Sequence, residues 1–247
     1  MPPFFSPYGT DAISVGIPYW LDLLTVIIGA ISGILVARDR HLDLVGFVGL
    51  GLLGGLGGGL IRDVMMQEGG VYMLNSPYAI PAAVFTAILL FMFPEPLDRF
   101  PRMLEWTDII SVGLFAVVGT DKALVYHLLP FSVILMGSIT GVGGGMLRDV
   151  FLGDITRIFQ RSNLYAFCAV AGATSYWALV SYAGVTKIWA AVVCVAVTVC
   201  LRRWSLKYNV LSPADVDLTP HVMRSVNKLR YKTQKPGKQP EQNTPSK

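Results

Sequence analysis

Displaced by 86 positions, this sequence superimposes on itself: residues 20–66 lie over residues 106–152 without a gap, and 16 of the 47 aligned positions are identical. Trp20 meets Trp106, Asp22 meets Asp108, Gly33 meets Gly119 and His41 meets His127. GLGGGLIRD (55–63) meets GVGGGMLRD (141–149). Such a chain folds as two related halves, so whatever one half builds, the other builds again.

The repeated unit is made of long apolar blocks, at 17–37, 44–66, 78–93, 108–129, 131–152, 164–182 and 188–201, separated by Pro, Gly and charged residues. The chain is 53% hydrophobic and only 15% charged, with a mean hydropathy of +0.54. A soluble domain carries about a quarter charged residues. The reading is an all-α, polytopic membrane protein with seven transmembrane helices; six or eight spans are the alternatives for the short third and seventh blocks and the tight boundary at Pro130. Each repeat holds three spans, an odd number, so the second copy enters the membrane from the opposite side. The expected architecture is a 3+3 inverted-topology repeat plus a seventh helix, the arrangement on which many transport folds are built.

Lys and Arg alternate between loops: Arg38 and Arg40 after the first span, Arg99 and Arg102 after the third, Arg157 and Arg161 after the fifth. After the seventh comes a tail, residues 202–247, with 10 Lys/Arg against 3 Asp/Glu, whereas residues 1–201 hold 10 against 13. The positive-inside bias then puts the N-terminus outside and the C-terminus in the cytoplasm, a parity that requires an odd number of spans. The expected layout is an extracytoplasmic N-terminus (1–16), a first repeat (17–93), a second repeat (103–182), a seventh transmembrane helix (188–204) and a basic, mostly disordered cytoplasmic tail (205–247) of a multi-pass inner-membrane protein. The tail suits anionic lipids or simple solvation, and nucleic acid is not an expected partner. No Lys or Arg precedes the first apolar run, which argues against a cleaved signal peptide. Cys168, Cys194 and Cys200 lie within apolar blocks without CxxC or His-rich spacing, so they read as small core residues, not disulfides or zinc ligands.

Gly57, Gly58 and Gly59, and again Gly143, Gly144 and Gly145, strip side chains from most of a helical turn. Gly costs a helix about 1 kcal/mol relative to Ala, so a kink or unwound turn is expected, and any backbone groups it frees must face protein or a water-filled path. The competing reading is close helix packing through small-xxx-small spacing. Arg62–Asp63 and Arg148–Asp149 fall near the ends of their spans, where Arg can snorkel to the interface or join an ion path. Asp121 and Lys122 lie some 13 residues into the fourth block, near the bilayer midplane, where charge is a functional signal. Being adjacent, they point about 100° apart and seek partners on other helices, with Asp22, Asp108, Arg62 and Arg148 as candidates. His41 and His127 fall in loops.

No catalytic constellation is present. GLGLLG (49–54) matches GxGxxG only inside an apolar block, GLGGGLIRD lacks the Lys-Ser/Thr of a phosphate loop, and HExxH and GxSxG are missing. The chain reads as neither an enzyme nor the holder of a cofactor.

The duplicated G-x-GGG-x-x-RD, the leading LDLL and TDII, the segments GILVA and GTDKA and the 3+3+1 spans together resemble the bacterial branch of the trimeric intracellular cation (TRIC) channel family, over about residues 16–205. The same repeat also characterises a bacterial family described as glycine transporters. The resemblance implies a homotrimer with one pore per protomer, conducting monovalent cations, chiefly potassium, with sodium also permeant. It implies kinks at the two glycine triplets and a gating charge at Lys122. GTDKA stands where bacterial members more usually carry GAQKA, so Asp121 is an added charge. The alternative is a secondary transporter of a small amino acid such as glycine; a third reading is a lipid-packed scaffold without permeation.

Overall fold

The computed structural model describes residues 16–93, 102–156, 158 and 164–208. The expected extracytoplasmic segment, apart from its last residue, lies outside this set, as do the loop residues Arg99, Arg157 and Arg161 and the tail beyond residue 208. Among the described residues the regular structure is entirely helical: α1 (Tyr19–Asp39), α2 (Leu44–Met66), a single-turn α3 (Tyr72–Asn75), α4 (Ala79–Met92), α5 (Met103–Val125), α6 (Pro130–Phe151), α7 (Tyr165–Ser181) and α8 (Lys187–Lys207). The seven long helices correspond one to one with the seven apolar blocks. The last runs past the expected boundary at residue 204, and four of them, α1, α2, α6 and α8, are long and apolar enough to cross a membrane.

The duplication is visible in how the helices begin and end. Each repeat joins its first two long helices through four residues, and the turn uses the same device. His41 and His127 both take left-handed backbone conformations, with φ of 53° and 54°. Leu42 N–H donates to the Ala37 carbonyl at 3.0 Å and His41 N–H to that of Arg38 at 2.8 Å; Leu128 and His127 repeat the pattern on Ala123 and Leu124 at 3.1 and 3.0 Å. This is a Schellman ending without the usual glycine, so the two histidines that read as plain loop residues stop helices at equivalent points. On the far side of the turn, α2 is capped by the Asp43 carboxylate accepting from Gly46 N–H at 2.9 Å. In α6, Pro130 takes the first position, where its missing N–H leaves nothing unsatisfied.

Packing follows the repeat. The α1/α2 interface matches α5/α6, α2/α4 matches α6/α7, and α1/α4 matches α5/α7, while α2/α6 and α1/α5 join the halves. Helix α8 breaks the symmetry by lying against α5 and α7. Helix α5 is enclosed: Ser111 through Ala123 are all buried. A helix with protein on every side needs no apolar strip toward lipid, which is why α5 tolerates the buried Asp108, Asp121 and Lys122; Glu105, half-buried in the first turn, pairs with Arg203 of α8. The lipid-compatible surface lies elsewhere, on α4 with Phe85, Leu89 and Met92 and on α8 with Trp189, Val192 and Leu201, all exposed. Cys200 is exposed on α8, unlike the buried Cys168 and Cys194, so only two of the three cysteines are core residues.

Candidate functional site

Both glycine triplets lie in unbroken helix, so the expected unwound turn is not found. What the triplets do is let α2 and α6 touch backbone to backbone. A Cβ on Gly58 would fall 2.2 Å from the Thr140 carbonyl oxygen, and one on Gly144 2.8 Å from that of Gly54. Gly57 and Gly143 face the same crossing, with a Cβ on Gly143 meeting the Gly58 Cα at 3.1 Å. The third glycine of each triplet differs: its nearest neighbours are the guanidinium of Arg62 for Gly59, and the Tyr165 hydroxyl and Arg148 guanidinium for Gly145. The helices are close-packed through the first two glycines and open toward charge at the third.

Those charges form two buried clusters, one around the Arg-Asp pair of each repeat and each completed by a residue of the other repeat. Neither arginine snorkels: Arg62 and Arg148 are each 1% exposed. At the end of α2, Arg62 Nε donates to Asp63 at 2.7 Å. Lys122 Nζ, from the last turn of α5, donates to the same carboxylate oxygen at 2.7 Å and to the Gly70 carbonyl at 3.3 Å. The second Asp63 oxygen accepts from Tyr72 N–H at 2.8 Å. Arg62 Nη1 is buried without a hydrogen-bond partner, beside a cavity of about 10 Å³ lined by Asp22, Gly59, Arg62 and Tyr72, room for about one water.

The second cluster gathers at the end of α6. Arg148 Nη2 lies 3.0 Å from Asp149 and its Nη1 3.7 Å from Asp108, and Ser32 Oγ donates to Asp108 at 3.3 Å. Asp108 and Lys122 are 14 residues apart on α5, so the clusters are separated by roughly 21 Å along that helix at 1.5 Å per residue. They occupy opposite ends of it, as inverted repeats require. Asp149 also lines an open cavity of about 590 Å³ with Val36, Asp39, Arg40, Leu104 and Asp154, across whose mouth Arg40 is paired with Asp154.

Asp121 and Lys122 are not at the middle of their span. Helix α5 starts at Met103, five residues before the apolar block, so the pair sits in the last two turns. As expected they turn to different helices, but only Lys122 joins a repeat cluster. Asp121, fully buried, accepts from the Tyr176 hydroxyl at 2.8 Å and pairs with Lys187 of α8 at 2.9 Å. Sequence reasoning missed Tyr72, Tyr176 and Lys187. A lysine opening an apolar block reads as an interfacial anchor, and nothing in spacing announces that it folds back onto a carboxylate 66 residues earlier. Among the described residues no group of three or more His, Cys, Asp or Glu side chains is placed to hold a metal ion.

Comparison with known proteins places this arrangement. The glycine transporter family matches residues 19–95 and again 105–181, the two repeats. The UPF0126 inner membrane protein YadS of Escherichia coli is 32% identical over 194 residues, covering 76% of this chain and 93% of its own length. A UPF0126 membrane protein of Deinococcus radiodurans is 36% identical over 162 residues, covering 65% of this chain and 75% of its own. Among solved structures, the TRIC trimeric intracellular cation channel orthologue of Rhodobacter sphaeroides is 33% identical with a TM-score of 0.70, covering 77% of this chain and 97% of that one. A second structure, solved for the conductance of TRIC cation channels, is 27% identical with a TM-score of 0.71, covering 81% and 98%. The chain therefore belongs to the membrane-protein family of the duplicated glycine transporter repeat, which takes in the UPF0126 proteins and the bacterial TRIC channel orthologues.

Proposed function

We propose that the protein is a channel of the inner membrane for monovalent cations, chiefly potassium with sodium also permeant, with one pore in each protomer of a homotrimer and no cofactor. The observation that carries this reading is the pair of buried charge clusters at opposite ends of an inverted repeat, one of them floored by a carboxylate that lines an open cavity. Buried charge inside a bundle is retained where it lines or gates a polar route, and acidic residues at a mouth favour cations. In this reading Gly59 and Gly145 leave room beside the arginines, Arg62, Asp63 and Lys122 close one end, and Arg148 and Asp149 flank the path at the other. Gly57, Gly58, Gly143 and Gly144 set the distance between the helices that bear them. The proposed orientation has the N-terminus outside and the C-terminus cytoplasmic, with membrane lipids as the surrounding partner.

Single-channel recording of purified protein in a planar bilayer tests the reading: discrete unitary steps carried by potassium are expected, and turnover-limited flux without steps overturns it. The second reading, a carrier for a small zwitterion such as glycine, draws on one feature, the opening of the bundle at one end and its closure at the other, which is how an alternating-access protein looks in one of its states. Glycine uptake by proteoliposomes lacking any cation conductance would favour it.

A further inference from the structure

The two ends of the repeat pair are built from equivalent positions and yet one is filled and the other open. At the filled end Lys122 reaches Asp63, and Tyr126 lies so close over Gly69 that a Cβ there would fall 2.0 Å from the phenol oxygen. Shifting each of these by 86 residues gives the open end: Asp63 becomes Asp149, Lys122 becomes Val36, Tyr126 becomes Arg40 and Gly69 becomes Ile155. All four of these counterparts line the 590 Å³ cavity. At the filled end a lysine ammonium is tied to the aspartate; at the open end the same place holds an isopropyl group too short and too apolar to reach Asp149. The cavity wall carries Asp39, Asp149 and Asp154 against Arg40, whose charge is engaged by Asp154. Arg148 lies behind the wall on Asp149 and Asp108.

We infer that this end is a standing acidic vestibule for hydrated monovalent cations, floored by Asp149 and kept open because Val36 stands where the repeat symmetry would place a lysine. The protein thus has one charged lock, at Lys122, and position 36 is an unused second one. The vestibule is independent of whether ions then cross; only the flux consequence rests on the channel reading above.

Two measurements test it. In a Cys200→Ser background, Val36→Cys is exposed in proteoliposomes to a cationic and to an anionic methanethiosulfonate reagent of similar size, added from each side. Modification from one side only is expected, at least tenfold faster with the cationic reagent, with that preference falling in Asp149→Asn. No modification from either side, or no charge preference, overturns the vestibule. Separately, Val36→Lys is compared with Val36→Met, a neutral side chain of similar length, by potassium flux and thermal stability. Val36→Lys should stay folded and lose most of its flux, and Val36→Met should keep it. Equal loss in both variants, or wild-type flux in a folded Val36→Lys, overturns the lock. Labelling of the Val36→Cys variant as expected, in a protein that passes no cations, would leave the vestibule standing and overturn the channel reading alone.

Discussion

At the residue scale, the glycines of one triplet do different work, which single substitutions should separate. Gly58→Ala drives a methyl into the Thr140 carbonyl, and because that neighbour is backbone the helices must part. A loss of about 1–3 kcal/mol is expected, read as a lower melting temperature in detergent. Gly59→Ala meets only ordinary van der Waals contact and should match or exceed wild-type stability, by up to about 1 kcal/mol, so a fall in flux there would report on the path itself. Asp63 carries a heavier load, since it answers Arg62 and Lys122 together. Asp63→Asn leaves two buried cations without their carboxylate and should destabilise by about 3–5 kcal/mol, whereas Lys122→Met leaves Asp63 paired with Arg62 and should fold while raising resting conductance. The Arg-Asp motifs and the two triplets were legible in sequence because the repeat printed each of them twice. Close packing was one of the two readings the triplets allowed; that Gly58 packs on the Thr140 backbone was not legible, since a glycine shows what it lacks and not which backbone comes to fill the space.

At the scale of elements, α5 ties its closing turns to three neighbours through adjacent residues: Lys122 pulls toward α2, while Asp121 pulls toward α7 and α8. Replacing Asp121 by Asn should weaken the grip of α8 more than that of α2. A stability loss of about 1.5–3 kcal/mol is expected, typical of hydrogen bonds to charged groups, together with faster hydrogen exchange at the start of α8 and unchanged exchange at the end of α2. Uniform exchange across both would show that the two ties are not separable. The existence and order of the long helices followed from apolar block length, because lipid imposes that length whatever the neighbours. The depth of Asp121 and Lys122 was misjudged for a related reason: α5 begins at Met103, five residues before the apolar block, in a short stretch whose Glu105 separates it from that block. Those residues are only partly covered, and the first turn they form is held from outside the apolar block, Glu105 pairing with Arg203 of α8, a tie that only tertiary structure shows.

At the scale of the molecule, the repeat orders the bundle around two self-paired contacts, α2/α6 and α1/α5, and α8 sits on one half only. The proposed orientation predicts that a reporter fused after Lys247 is active only in its cytosolic form; activity of a periplasm-dependent reporter there would reverse it. Enclosing α5 also sets the order in which the chain can be made. Charged residues disfavour insertion by about 2.5–3.5 kcal/mol each at the centre of a span, and α5 carries four along its length. Its counter-charge Asp63 and its partner Ser32 belong to the first repeat, which leaves the ribosome earlier. The first three spans therefore act as an assembly template, already in the bilayer when this charged helix arrives. Synthesised alone, residues 102–247 should fail to thread α5 across the membrane, leaving α6 to choose its own direction, and co-expression of residues 1–101 should restore the threading.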